Sequence, residues 1–293
     1  IHGSGVGDLL DIIVDLLPPS EDTTETDLDA VRIAILGRPN VGKSSLLNTL
    51  LGEERAIVSP VAGTTRDSVD TDMLWGNRRI TLIDTAGIRR RGKVDQGVEK
   101  WSVLRSARAL KRADAALLLI DAVEGITAQD THVAGLIAEE GVSVIVVINK
   151  WDAVDAETRL NRQAFEDEVR EELKFLSYIP VIFCSALTGF RVDTIIPAAL
   201  EVIEARYQRM PAGQLNDIVN QALAIHAPPS KRGKRLRIYY VTQPEVAPPT
   251  FLFLVNDPNL VHFSYQRFLE NTIREVFPFP GTPVRMTFRG RRT

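Results

Sequence analysis

Val31-Arg-Ile-Ala-Ile-Leu-Gly-Arg-Pro-Asn-Val-Gly-Lys-Ser-Ser-Leu-Leu-Asn48 decides how this chain is read. The apolar run Val31–Leu36 predicts a strand, and Ser44–Leu51 predicts a helix. Between them, Gly37-x-x-x-x-Gly42-Lys43-Ser44 has the full Walker A spacing in the strand-to-helix context that spacing requires. Glycines let the backbone wrap around phosphates and turn its N–H groups inward. Lys43 brings positive charge to the β and γ phosphates, and Ser44 offers a hydroxyl to Mg²⁺.

Working outward, the pattern repeats. Arg79–Asp84, Ala115–Ile120, Val142–Ile148 and Pro180–Cys184 predict further strands, with helices between them, one over Gln163–Phe175. Continuous apolar runs fit parallel strands buried on both faces. The β-α order predicts an α/β fold with a doubly wound, mostly parallel sheet over residues 31–210. Ligands of such sheets sit at the carboxyl ends of the strands.

Three further motifs fall at such ends. Asp84-Thr-Ala-Gly87 places a carboxylate for Mg²⁺ and a glycine N–H for the γ-phosphate. In Asn149-Lys150-Trp151-Asp152 the final carboxylate can accept two hydrogen bonds from the guanine edge, which adenine cannot supply. Ser185-Ala186 fits a loop that steadies the base. Gly63-Thr-Thr-Arg-Asp67 lies between; it reads as a polar loop or as a threonine completing the Mg²⁺ shell, Thr65 ahead of Thr64. The candidate nucleotide residues are therefore Gly37, Arg38, Pro39, Asn40, Val41, Gly42, Lys43, Ser44, Ser45, Asp84, Thr85, Ala86, Gly87, Ile88, Asn149, Lys150, Trp151, Asp152, Ser185 and Ala186. The candidate Mg²⁺ ligands are Ser44, Thr65 and Asp84, and the ligand is GTP or GDP.

Outside that region the rhythm changes. Residues 1–17 read as a Gly-rich turn and an apolar helix, and residues 18–30 as an acidic linker. Residues 211–293 predict a small α+β domain ordered α-β-β-α-β, with a basic loop at Pro228–Arg235. From Pro211 onward there are eleven Lys/Arg against five Asp/Glu, a net of +6, so the remainder carries -9. A basic end suits nucleic acid or an acidic neighbour. Of Tyr239, Tyr240, Phe251 and Phe253, most read as core strand residues. The single cysteine, Cys184, excludes an internal disulfide and reads as a small buried apolar residue. No apolar run is long enough to span a bilayer, and the histidines lack metal-ligand spacing.

Taken together, Gly37–Asn48, Ser59-Pro-Val-Ala-Gly-Thr-Thr-Arg-Asp67, Asp84–Ile88, Asn149–Asp152 and Cys184-Ser-Ala-Leu-Thr-Gly189 resemble the EngA/Der family of tandem-G-domain GTPases. The resemblance covers residues 31–293 and implies a second G domain at 31–210 and a KH-like domain at 211–293. It makes residues 1–17 the last helix of a first G domain whose remainder lies outside this sequence. It implies a bacterial, cytoplasmic, monomeric GTPase that matures the large ribosomal subunit, with that subunit, its rRNA and the first G domain as partners and no membrane. Lys43, Thr65, Gly87 and Asn40 are the implied catalytic set, with Asn40 recruiting K⁺ beside the phosphates. Ile88 stands where many small GTPases carry a water-orienting Gln, which implies slow intrinsic hydrolysis. Arg89-Arg-Arg-Gly-Lys93 meets RNA, an acidic face or water. The tail carries no Gly-x-x-Gly clamp, so RNA phosphates would instead touch Lys231–Arg237 and Arg285–Arg292.

Overall fold

In the computed structural model the described residues are 30–53, 56–58, 70–85, 107–231 and 233–290. The predicted helix at 1–17, nearly all of the linker, Thr64, Thr65, Ala86, Gly87, Ile88 and Arg89–Lys93 lie outside them. The chain divides into two compact units. One runs as far as Glu204 and also takes in Pro280–Thr282; the other comprises Ala205–Phe279 and the end from Pro283.

The first unit holds β1 (Ala30–Leu36), α1 (Lys43–Gly52), β2 (Ala56–Val58), β3 (Thr71–Trp75), β4 (Arg78–Ile83), β5 (Ala115–Asp121), α2 (Ala128–Glu140), β6 (Ser143–Asn149), α3 (Ala156–Leu160), α4 (Arg162–Glu172), β7 (Val181–Phe183) and α5 (Ile195–Arg206). Its sheet has the order β2-β3-β4-β1-β5-β6-β7. The neighbours from β4 through β7 pair in parallel, whereas β2 and β3 are antiparallel.

Alternating side chains feed two cores. Ile33 and Ile35 of β1 and Leu117 and Leu119 of β5 join Leu46, Leu47 and Leu50 of α1 and Ile196 and Ala199 of α5 on one face. Ala34, Leu36, Leu118 and Ile120 join Ala134 and Ile137 of α2 and Val169 of α4 on the other. Burial on both faces is why these strands read as unbroken apolar runs.

The edge pair β2–β3 adds to the strands expected from the sequence. Thr71-Asp-Met-Leu-Trp75 alternates buried and less buried positions, the signature of an antiparallel strand. Gly76, at φ +59, turns the chain from β3 into β4.

The second unit contains α6 (Ala212–Ile225), β8 (Ser230–Lys231), β9 (Lys234–Arg235), β10 (Ile238–Val246), β11 (Pro249–Val255), α7 (Phe263–Val276) and β12 (Arg285–Gly290). The sheet β10-β11-β12 has one antiparallel and one parallel pair. Leu215 and Val219 of α6 and Leu269 and Ile273 of α7 pack with Val241, Phe251 and Phe253. Phe251 and Phe253 are therefore core, but Tyr239 is 50% exposed and Tyr240 only partly buried, so half rather than most of the four aromatics fill the core. Asn216 of α6 covers the outer edge of β10 by exchanging two hydrogen bonds with the backbone of Val241, at 2.8 and 3.0 Å. The basic stretch expected as a loop folds as the ribbon β8–β9, because Ser230 pairs with Arg235 and Lys231 with Lys234.

Candidate functional site

The carboxyl ends of β1, β4, β5 and β6 lie on one edge of the sheet. Ala34 is in register with Ile83, Leu36 with Leu118, and Asp121 with Asn149. This edge gathers every sequence motif that falls within the described residues.

At the end of β1 the chain turns through Gly37 at φ +143, Asn40 at +65 and Gly42 at +97 before entering α1. The two glycines are fixed by space as well as by backbone angle. A Cβ on Gly37 would lie 2.5 Å from the carbonyl oxygen of Leu119. One on Gly42 would lie 2.2 Å from Nδ2 of Asn149. Val41 is buried, while Pro39, Asn40, Ser44 and Ser45 are exposed. Lys43 donates its ammonium to the carbonyl oxygens of Gly37, at 2.7 Å, and of Arg38. The loop thus encircles its own cation at the start of α1, where backbone N–H groups and the helix dipole already favour an anion.

Arg38 does not extend its side chain as a phosphate ligand. Its guanidinium donates to Glu124 at 2.8 Å and to Asp130 at 3.0 Å. Burial opposes its charge, but the hydrogen bond to Glu124 and the Asp130 carboxylate outweigh that and raise its pKa. Asp130 in turn caps α2, accepting from the N–H and hydroxyl of Thr127 at 3.0 and 2.8 Å. Arg38 therefore offers a phosphate only its backbone. Glu124 and Asp130, which the sequence reading did not single out, hold the loop's shoulder.

The base end is built around Asn149, which is 1% exposed. Its amide donates to the carbonyl of Val41 at 2.8 Å, and its oxygen accepts the N–H of Ala186 at 2.9 Å. Thr49 of α1 donates to the carbonyl of Ala186 at 2.7 Å. The buried Ser185 accepts from the N–H of Thr188 through its hydroxyl at 3.1 Å. Lys150, at φ +63, donates to Asp121 at 2.5 Å. Asp121 closes β5 and is 2% exposed, so it fixes where the lysine stem lies. The ring of Trp151 turns into the core, edge-on to Phe183 with centroids 4.6 Å apart and to Phe165 at 5.7 Å. It anchors the motif and leaves ligand contact to its neighbours.

Asp152 carries the most informative atom. Its Oδ1 is buried and has no hydrogen-bond partner within the protein. A buried carboxylate oxygen left unpaired costs several kcal/mol in the absence of a donor. The N1–H and N2–H₂ of guanine are such donors, so the chemistry of this atom fits the base.

Asp84 follows the last residue of β4 and adopts a left-handed backbone, φ +57. Its N–H donates to Asp70 at 2.9 Å. The next residue, Thr85, is 2% exposed, and its hydroxyl lies 2.7 Å from that of Thr71. The hydroxyl of Ser44 and the carboxylate of Asp84 are hard oxygen donors, the type Mg²⁺ selects when nucleotide phosphates and water complete its shell. No group of three or more His, Cys, Asp or Glu that could hold a metal occurs among the described residues. Cys184 is fully buried, and burial pushes its thiol up to about 12. No helix of the described residues is long and apolar enough to cross a membrane.

The model of a 50S ribosome-binding GTPase matches residues 32–150, and that of the C-terminal KH-domain-like region of EngA bacterial GTPase enzymes matches residues 209–289. GTPase Der of Thermomicrobium roseum is 50% identical over 292 residues, covering 99% of this chain and 64% of that protein. GTPase Der of Listeria welshimeri is 47% identical over 291 residues, covering 99% of this chain and 66% of that protein. The solved structure of Era in complex with MgGDPNP and nucleotides 1506–1542 of 16S ribosomal RNA aligns over 89% of this chain and 92% of that one, at 24% identity and a TM-score of 0.46. The chain thus spans a little under two thirds of the length of the curated relatives it matches. The family models matched at residues 32–150 and 209–289, with relatives aligned along nearly its whole length, place this chain in the EngA/Der family of GTPases.

Proposed function

We propose that this chain binds GTP and GDP with Mg²⁺, hydrolyses GTP, and serves as a nucleotide-dependent switch in maturation of the large ribosomal subunit in the cytoplasm. The unpartnered, buried Oδ1 of Asp152 carries the base assignment. In this reading residues 31–210 form the second G domain and residues 211–293 the KH-like domain, and the chain acts as a monomer.

Phosphoryl transfer depends on positioning and charge neutralisation. The backbone of Gly37–Ser44 and the ammonium of Lys43 hold the phosphates. Ser44, Asp84 and Thr65 hold the ion, and Gly87 meets the γ-phosphate. Ile88 cannot hydrogen-bond the attacking water, so intrinsic turnover is slow. Asn40, exposed on the loop, would hold a monovalent cation, and such a cation would supply positive charge to the transition state. Partners are the ribosomal subunit, its rRNA and a first G domain. The exposed Lys234, Arg235 and Arg237 give the RNA contact its charge.

Equilibrium titrations of GDP, GTP and ATP test the base reading, with Asp152→Asn as the key variant. The wild-type protein should prefer guanine nucleotides, and Asp152→Asn should lose that preference while gaining xanthine nucleotides, whose edge offers an acceptor where guanine has a donor. Equal affinity of the wild-type chain for ATP and GTP would refute it. GTP turnover in K⁺ against Na⁺ tests Asn40, and equal rates would dismiss the cation. Pelleting with ribosomal subunits in GTP and in GDP tests the switch.

A further inference from the structure

Asp70 lies just before β3 and belongs to none of the nucleotide motifs. Its carboxylate is nonetheless 4% exposed, far more buried than an acid at a strand entrance needs to be. One oxygen accepts the N–H of Asp84 at 2.9 Å. The other accepts from the guanidinium of Arg112, which is 43% exposed. The N–H it holds belongs to a non-glycine residue in the left-handed region, a conformation that persists only where its surroundings impose it. One residue further along the chain on each side the tie is repeated, hydroxyl to hydroxyl, between Thr71 and Thr85.

We propose that Asp70, held by Arg112, is a positioning residue that sets the Asp84 carboxylate for the nucleotide-bound Mg²⁺. The inference rests on Asp84 serving that ion. The chain entering β3 and the chain leaving β4 are clamped by two adjacent side-chain ties, one charged and one neutral. The bond to the N–H of Asp84 fixes the peptide plane before its Cα, and the Thr71–Thr85 tie holds the residue after it, so the Cα–Cβ bond along which the carboxylate extends is set between two anchored neighbours. Arg112 holds Asp70 in place, because a charge-assisted bond to a buried carboxylate is the strong kind. The clamp therefore contributes to Mg²⁺ affinity and leaves nucleotide affinity without the ion untouched.

The experiment measures release of fluorescent GDP from the full chain across a Mg²⁺ titration and in EDTA. Asp70→Ala should raise the Mg²⁺ concentration for half-maximal retention about tenfold, as for loss of one buried charged hydrogen bond. Release in EDTA should not change. Asp70→Asn keeps an acceptor for the Asp84 N–H and should recover most of that shift; Arg112→Ala should fall between. An unchanged midpoint in Asp70→Ala overturns the proposal. So does equal loss with and without Mg²⁺, which is the mark of a purely structural residue. Should Asp70→Ala fail to fold, Arg112→Ala decides alone by the same two readings. Asp84→Ala separates the two levels: if it too leaves the midpoint unmoved, the reading of Asp84 fails; if it shifts the midpoint and the Asp70 and Arg112 variants do not, only this inference fails.

Discussion

Asn149 reaches across 108 residues of chain to donate its side-chain amide to the carbonyl of Val41 at 2.8 Å. The same side chain receives the N–H of Ala186. The Gly37–Ser44 loop, the end of β6 and the loop after β7 thus meet on one residue. Asn149→Ala should weaken GDP and GTP alike by about tenfold or more, as expected when buried backbone groups lose their partner. Equilibrium titration checks this, and unaltered affinity would remove Asn149 from the site's framework.

Gly42→Ala should strike the same bond from the other side. Its Cβ would meet Nδ2 of Asn149 at 2.2 Å, and its φ of +97 disfavours any side chain. The two substitutions share one interaction, so their effects on GDP affinity should not add. A double-mutant cycle that closes additively would mean the two residues act separately.

Gly281→Val should destabilise the nucleotide-binding unit. Gly281 has φ +60, and an added Cβ would stand 2.6 Å from the carbonyl oxygen of Val144 and 2.8 Å from the side chain of Val202. Overpacking and backbone strain each cost about 1–3 kcal/mol. Denaturant unfolding monitored by the fluorescence of Trp151, which sits in that unit's core, gives the measurement.

Cys184 should resist alkylation in the native protein at pH 8. Its thiol is raised to about 12 by burial, so the nucleophilic thiolate is scarce until the chain unfolds. The raised value also means that folding favours the protonated thiol. Its contribution to stability is full below the ordinary thiol range and declines as pH rises through it toward 12. Labelling with iodoacetamide with and without denaturant should differ by orders of magnitude; similar rates would show an open thiol.

Lys234, Arg235 and Arg237 are exposed at and beside the β8–β9 ribbon, whose base is tied by Asn256 to Arg235 and Arg237 at 2.9 Å each. If these residues meet RNA phosphates, each replacement by Ala should lower the slope of log K against log salt by about 1. RNA binding across a salt series reads the slope directly. An unchanged slope would place the contact elsewhere.

Much of the site was legible because its chemistry is local. Gly37–Ser44 and Asn149–Asp152 are short, fixed spacings on the ends of apolar runs. β5 and β6 announced themselves through runs of Ala, Val, Ile and Leu, the mark of burial on two faces, and β1 through the glycine loop that follows it. What the reading missed depends on partners distant in sequence. Nothing near Arg38 reveals that Glu124 and Asp130 will claim its guanidinium, at separations of 86 and 92 residues. Trp151 reads as a motif residue but is used by the core, since Phe165 and Phe183 arrive from α4 and β7. Asp121, ending an apolar run with an acid, was the one missed residue with a readable signal. The ribbon β8–β9 hid behind its charge, which suggested a solvated loop although Gly233 at φ +75 suits a tight turn.

Pro280–Thr282 belong to the nucleotide-binding unit although Ala205–Phe279 do not. Gly281 accepts the N–H of Val144 at 2.7 Å and donates to Tyr178 at 2.8 Å, while Thr282 lies 3.0 Å from Ser143 and donates to Val202 at 3.2 Å. Synthesis runs from the amino end, so the strand that ends in Asn149 receives its last hydrogen-bonding neighbour only after every residue up to Thr282 has been made. On the ribosome the nucleotide-binding unit is therefore finished late, and any shortened chain that stops after Glu204 leaves the start of β6 with an unsatisfied edge.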